Sequence, residues 1–119
     1  MDRSAFRMHL RLAGKTMVVE VGGQLGQEAA DAFESQLRAA LWSGSTAVLL
    51  DLSEAESIDA AGVRALVAVS KLSETLGDKL QLRRRVSESV EQTLEVSGVL
   101  MRLPWEPRGS ARDTRSKKL

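Results

Sequence analysis

The sequence contains no cysteine and no tyrosine, and only two phenylalanines and two tryptophans occur among its 119 residues. The lack of cysteine excludes a disulfide framework and a thiolate metal site. No run of about 18 apolar residues occurs, which excludes a transmembrane helix of ordinary length. The first residues lead into an alternating segment and not into the apolar stretch of a signal peptide. These absences predict a cytoplasmic protein with an aliphatic core.

Positive and negative charges nearly balance, with a formal net charge of +1, but they are unevenly placed. Residues 106–119 carry five basic side chains against two acidic ones, so the remainder of the chain is mildly acidic. This last segment has no apolar periodicity and begins between two prolines. We therefore expect one domain over residues 1–103, followed by a Pro-containing exit and a basic, disordered tail over residues 104–119.

Apolar periodicity predicts an α/β fold in which two strands form a hairpin and helices then alternate with strands. A strand buried on both sides between two helices implies βαβ crossovers in a parallel sheet. Asp59 and Ser87 are expected as helix N-caps, and Gly98 as a left-handed residue after the third helix. The predicted elements are strands at 6–12 and 16–21, a helix at 27–42, a strand at 47–50, a helix at about 60–76, a strand at 79–84, a helix at about 88–97 and an edge strand at 99–103.

The segment DLSEAESIDAAGVRAL, residues 51–66, follows the predicted buried strand and opens the second helix. It resembles the central signature of STAS domains, in which Asp-Leu-Ser ends a strand and a short loop leads to Asp-Ser-Ser-Gly at a helix start. Residues 21–25 look like the family's Gly-Glu-Leu-Asp element, and residues 86–99 look like its third helix. The resemblance covers residues 6–103. It implies a small mixed β-sheet in ββαβαβα order, an N-terminal hairpin followed by βαβ units, with helices mainly on one face.

The resemblance also implies a function. Many STAS proteins are anti-sigma factor antagonists, which bind an anti-sigma factor that is also a serine kinase of the histidine-kinase-like ATPase fold. Phosphorylation of one serine ends the binding, because a phosphate adds about −1.5 to −2 charges to a packed interface. The implied protein is a bacterial interaction module for such a regulatory ATPase. It is expected to be no enzyme and to use no cofactor, metal or catalytic residue.

The sequence departs from its relatives at the position of this switch. The phosphoacceptor serine follows the motif aspartate, but Ala60 follows Asp59 here, and a methyl group cannot accept a phosphoryl group. Ser57, in the predicted loop before the helix, is the candidate for a substitute phosphosite. The aspartate of Gly-Glu-Leu-Asp is also absent, and Gly26 stands in its place.

Helical periodicity sorts the side chains of the second predicted helix into two arcs. Ala65, Leu66 and Val69 fall on the arc expected to face the core, whereas Val63 and Val67 fall beside Arg64 on the other arc. The second arc predicts a small apolar spot suited to a partner interface; the alternative is that both valines pack under a neighbouring element. The predicted partner-binding residues are Asp59, Ala60, Gly62, Val63, Arg64 and Val67.

Other interpretations start from other residues. A STAS protein can also be a subunit or scaffold of a lipid-transport ABC complex or of a chemosensory or stress-signalling complex. Residues 83–85 are three consecutive arginines that could attract nucleic acid, although no aromatic platform accompanies them. The glycine-rich residues 22–26 lack the full spacing of a phosphate-binding loop. His9 is expected to be solvated, and Trp105 to dock on the sheet edge or to anchor a partner.

Overall fold

Strands and helices alternate along the chain after an N-terminal hairpin. The computed structural model describes residues 5–107, and within them the order ββαβαβα predicted from the sequence is confirmed. The elements are β1 (Arg7–Ala13), β2 (Thr16–Leu25), α1 (Gln27–Leu41), β3 (Ala47–Ile58), α2 (Ala60–Thr75), β4 (Leu80–Leu82), α3 (Glu88–Val96) and one 3₁₀ turn (Leu100–Arg102).

The mixed sheet has the strand order β1-β2-β3-β4. The hairpin pairs β1 with β2 antiparallel, whereas β3 runs parallel to both β2 and β4. The β2–β3 and β3–β4 crossovers step in the same direction across the sheet, and the right-handed connection that parallel strands favour places α1 and α2 on one face. The two helices also pack against each other. As a result, the starts of α1 and α2 lie side by side, next to the ends of β2 and β3.

The core lies between the sheet and these helices. Alternate residues of β2, β3 and β4 point into it, so that Val19, Leu50 and Leu82 are fully buried at 0% exposure. The helices contribute Phe33 from α1 and Leu94 from α3, both also at 0%. Side chains of the opposite parity form the other sheet face. That face carries the register row His9, Glu20 and Asp51.

β2 and β3 are longer than the sequence predicts. The prediction ended β2 at residue 21 and β3 at residue 50, and it treated residues 53–58 as a loop. The structure shows that this loop assignment is wrong, because β3 continues to Ile58 and pairs in parallel with Gly22–Leu25. Two register shifts accommodate the pairing. Leu52, Ala55 and Ile58 are buried in this extension, while Glu54 and Glu56 are exposed. The two glutamates made this segment resemble a loop in the sequence.

The third helix has the predicted ends. Ser87 caps α3 by accepting a hydrogen bond from the Val90 amide at 3.2 Å. Gly98 has a positive φ of 78°, and the Val99 amide donates to the Leu94 carbonyl at 3.1 Å. This is the helix-ending arrangement in which a left-handed glycine lets the chain turn back.

The edge strand predicted at 99–103 is wrong. A 3₁₀ turn occupies Leu100–Arg102, and the pairing with β4 is made further along, by an isolated bridge between Leu82 and Trp105. The Leu82 amide donates to the Pro104 carbonyl, and the Glu106 amide donates to the Leu82 carbonyl, both at 2.8 Å. The proline-containing exit therefore covers the β4 edge, and Trp105 docks there as one of its two predicted roles requires.

The chain from residue 104 onward was expected to be a Pro-containing exit followed by a disordered tail from residue 109. The exit is joined to the sheet at residues 104–106, and the predicted tail lies outside the described part of the chain. Between residues 5 and 107, no helix is long and apolar enough to cross a membrane.

Candidate partner-binding site at the start of α2

The predicted partner-binding residues lie where β3 passes directly into α2. Asp59 is the N-cap between the two elements. Asp59, Ala60 and Arg64 are exposed, and Val67 is half-buried. These four residues form a continuous surface at the start of α2, because positions three and four apart are neighbours on a helix.

The prediction that Val63 faces outward is wrong. Its side chain is only 6% exposed and belongs to the hydrophobic core. Gly62 is buried as well. Neither residue can contact a partner directly in this conformation, so both contribute to the site by packing beneath it.

Two serines explain why the predicted orientation of α2 was wrong. Ser70 and Ser73 are 8% and 2% exposed, and they share the buried side of the helix with Val63. The Ser70 hydroxyl donates to the Leu66 carbonyl at 2.8 Å, and the Ser73 hydroxyl accepts from the Leu80 amide at 2.8 Å. Serines that satisfy their hydrogen bonds can be buried at little cost. Because serine is polar, the periodicity of α2 did not place these two residues on the core side. The predicted core side therefore excluded Val63 as well.

Asp59 does more than the predicted capping. One carboxylate oxygen, Oδ1, accepts hydrogen bonds from the Ala61 and Gly62 amides at 3.0 and 3.1 Å, which confirms the N-cap of α2. The other oxygen, Oδ2, accepts from the Gln27 amide at 3.1 Å. Gln27 is the first residue of α1, so one side chain joins the starts of both helices. Sequence reasoning missed this second contact, although the absence of a capping side chain at Gly26 was a signal for it.

The motif glycine has a steric role. A Cβ atom at Gly62 would lie 2.4 Å from the Leu25 carbonyl oxygen and 2.7 Å from Cγ1 of Ile58. The end of β2 and the first turn of α2 approach each other so closely that only glycine fits between them. This contact fixes the first turn of α2 against the sheet.

A shallow groove of about 740 Å³ adjoins the site. Its lining includes Phe6 beside β1, Gln24 at the end of β2, Gln27 and Glu28 on α1, and Asp59. The exposed surface around Asp59 therefore continues across the start of α1. The sequence prediction confined the site to α2.

Ser57 lies inside β3, where its register partner is Gln24. It is half-buried, two residues before Asp59. The predicted substitute phosphosite is thus a strand residue near the groove and not a loop residue.

The residues behind the other interpretations have structural partners. Gly22 to Leu25 are part of β2, so they form a strand and not a phosphate-binding turn. Arg83 lies 3.7 Å from the Asp51 carboxylate, and the Arg84 guanidinium donates to the Glu106 carbonyl at 2.7 Å. Both arginines therefore contact groups of this domain.

A four-stranded mixed sheet with helices packed on one face is the architecture of a small α/β domain. In this chain the start of α2 is exposed beside the end of the parallel strand β3. A family model described as Mlab, STAS domain, matches residues 8–101, and the chain is a member of the STAS domain family. A comparison with curated protein sequences finds no match.

Solved structures share the fold. An anti-sigma factor antagonist from Mycobacterium paratuberculosis superposes with a TM-score of 0.74 at 20% identity, covering 97% of this chain and 95% of that one. The antagonist SpoIIAA in its unphosphorylated form gives a TM-score of 0.68 at 18% identity, covering 97% and 98%. The murine anion transporter Slc26a9 contains a similar region, with a TM-score of 0.66 at 17% identity over 87% of this chain and 18% of the transporter.

Proposed function

We propose that this protein is an interaction module of the anti-sigma factor antagonist type, which binds a regulatory ATPase of the histidine-kinase-like fold in the bacterial cytoplasm. The observation that carries the proposal is the exposed start of α2, where Asp59, Ala60 and Arg64 face solvent at the end of β3. The proposed role of this surface is to bind a protein partner and not to catalyse a reaction. The similarity to anti-sigma factor antagonists over nearly their whole length supports this choice.

The surface suits a protein partner. Ala60 and Val67 provide small apolar contacts, and Arg64 provides a cation that can form a hydrogen-bonded ion pair across an interface. Arginine is enriched in protein interfaces, and charges there fix register and partner choice. Val63 and Gly62 support this surface from below.

Arg64→Glu is expected to weaken binding at least about tenfold, because a reversed charge opposes the partner group that Arg64 meets. The measurement is isothermal titration of the full chain with the ATPase domain of an anti-sigma factor from the same cell. Lys71→Glu is the matched control, since Lys71 is also exposed on α2, about two turns further along. An equal affinity for wild type and Arg64→Glu would contradict the proposed site.

The absence of a hydroxyl at position 60 implies that phosphorylation there does not end the binding. Restoring the hydroxyl with Ala60→Ser is expected to create an acceptor that a kinase-like partner labels with ATP, while the wild-type chain stays unlabelled. Phosphopeptide mapping after incubation checks this. A label on wild type that Ser57→Ala removes would instead assign the switch to Ser57.

A second candidate is a STAS subunit or scaffold of a transport complex, such as a lipid-transport ABC complex, or of a chemosensory or stress-signalling complex. The similar region within the anion transporter Slc26a9 favours the transport version, because a STAS fold there is part of a transporter chain. Titration with the ATPase subunit of a transporter encoded nearby separates the candidates. Only one of the two ATPases should bind, and Arg64→Glu should affect that one.

A further inference from the structure

Helix α1 begins without a capping side chain of its own. Its N-cap is Gly26, whose backbone is extended at φ −116° and ψ −166°. The first amides of a helix have no partner within the helix and need an acceptor from elsewhere. Here the acceptor for the Gln27 amide is the Asp59 carboxylate, 32 residues further along the chain.

The two carboxylate oxygens of Asp59 accept hydrogen bonds from different helices. Oδ1 serves the Ala61 and Gly62 amides of α2, and Oδ2 serves the Gln27 amide of α1. A negative charge at this point is also favourable to both helix dipoles, whose positive ends meet there. One side chain therefore fixes the position of α1 relative to α2.

Gly26 makes room for this arrangement. A Cβ atom at position 26 would lie 3.0 Å from Oδ2 of Asp59, inside ordinary contact distance. The glycine is not required by backbone conformation, because its φ is one that any residue adopts. The lack of a side chain at Gly26 and the reach of Asp59 to Gln27 are thus two parts of one arrangement.

We propose that Asp59 is a positioning residue that supplies the missing cap of α1 and thereby joins the starts of α1 and α2 into one partner-facing surface. The consequence for binding rests on the proposed function, since Gln27 and Glu28 border the groove beside Asp59. The shared cap itself does not depend on any partner.

Asp59→Asn separates the two halves of the cap. Asparagine caps a helix as well as aspartate does, so its oxygen can keep the Ala61 and Gly62 amides. The group facing Gln27 then becomes an NH₂, which cannot accept a hydrogen bond. We expect hydrogen-exchange protection of the Gln27 amide to fall about tenfold while the two α2 amides keep theirs.

That exchange is measured residue by residue by NMR on the full chain. Unchanged protection at Gln27 would overturn the proposal. An equal loss at Gln27, Ala61 and Gly62 would also overturn it, because it would mean that the variant simply loosens the whole region.

A rescue experiment gives a readout that a general structural role would not produce. In the wild-type background, Gly26→Asp places a second carboxylate against Asp59 and is expected to lower the denaturant midpoint of unfolding. In the Asp59→Asn background the same change gives α1 its own cap and a neighbour that can donate to it, so the midpoint should rise. The same sign in both backgrounds would refute the shared cap.

Affinity for the ATPase domain distinguishes this proposal from the proposed function. If both hold, Asp59→Asn weakens binding and the double variant Gly26→Asp, Asp59→Asn restores it. If the ATPase does not bind at all, the proposed function fails, while the exchange and midpoint results still decide the shared cap.

Discussion

Replacing Val63 by aspartate is expected to destabilise the domain severely. The Val63 side chain is 6% exposed and packs within the core, where an aspartate would be a buried charge without a partner. Burying an unpaired charge is among the most destabilising single changes, so we expect a loss of at least about 4 kcal/mol in the free energy of unfolding. A loss of that size is a large share of the stability of a typical domain, about 5–15 kcal/mol.

Chemical denaturation followed by circular dichroism measures this loss. The control is Arg64→Glu, which introduces an acid at the next, exposed position of the same helix turn. Because Arg64 is exposed, this variant should stay within about 0.5 kcal/mol of wild type. A Val63→Asp protein as stable as wild type would show that Val63 faces solvent after all.

The second large effect is expected for Gly62→Ala. The added methyl group would meet the Leu25 carbonyl oxygen at 2.4 Å, and a backbone carbonyl cannot move aside as a flexible side chain can. The same carbonyl accepts the Asp59 amide at 3.2 Å, so displacing it also disturbs the cap. Alanine is favoured over glycine in a helix by about 1 kcal/mol, but the overpacking outweighs it, and we expect a net loss of about 2 kcal/mol.

Denaturant unfolding of Gly62→Ala beside Lys71→Ala, an exposed change on the same helix, checks this prediction. Lys71→Ala should lie within about 0.5 kcal/mol of wild type. Stabilisation by Gly62→Ala would mean that helix propensity dominates and that the close approach of β2 to α2 is not rigid.

Local sequence patterns predict most of the fold. The alternation in β1, the periodicity of α1, and the capping residues Asp59 and Ser87 each reflect chemistry that lies within a few residues of the chain. The end of β3 could not be predicted this way. Glu54 and Glu56 made residues 53–58 resemble a loop, and only the pairing with β2, more than 30 residues away, reveals them as a strand.

For the candidate site, the sequence predicted the start of α2 but not the orientation of all of its residues. The exposure of Asp59, Ala60 and Arg64 follows from the position of the helix start. The burial of Val63 depends instead on Ser70 and Ser73, whose hydrogen bonds to Leu66 and Leu80 allow them to face the core. Which side of a helix is buried depends on contacts with other elements, and the periodicity of the helix alone does not predict those contacts.

The contribution of α1 to the candidate surface was missed for the same reason, although Gly26 lacks a capping side chain. Gln27 and Asp59 are 32 residues apart, and the predicted role of Asp59 as the cap of α2 does not identify Gln27 as a second partner. Their contact requires β2 and β3 to end at the same edge of the sheet, which places the two helix starts within hydrogen-bonding distance. The parallel pairing that lengthens β3 therefore also builds the candidate surface.

The proposed partner ATPase docks on the starts of α2 and α1. The most direct test is an NMR titration of the isotope-labelled chain with the unlabelled ATPase domain of an anti-sigma factor from the same cell. We predict that the amide signals of Ala60, Arg64 and Gln27 shift or broaden, while those of His9 and Glu20 on the other sheet face stay unchanged. Changes confined to the other sheet face, with the helix starts unaffected, would contradict the account.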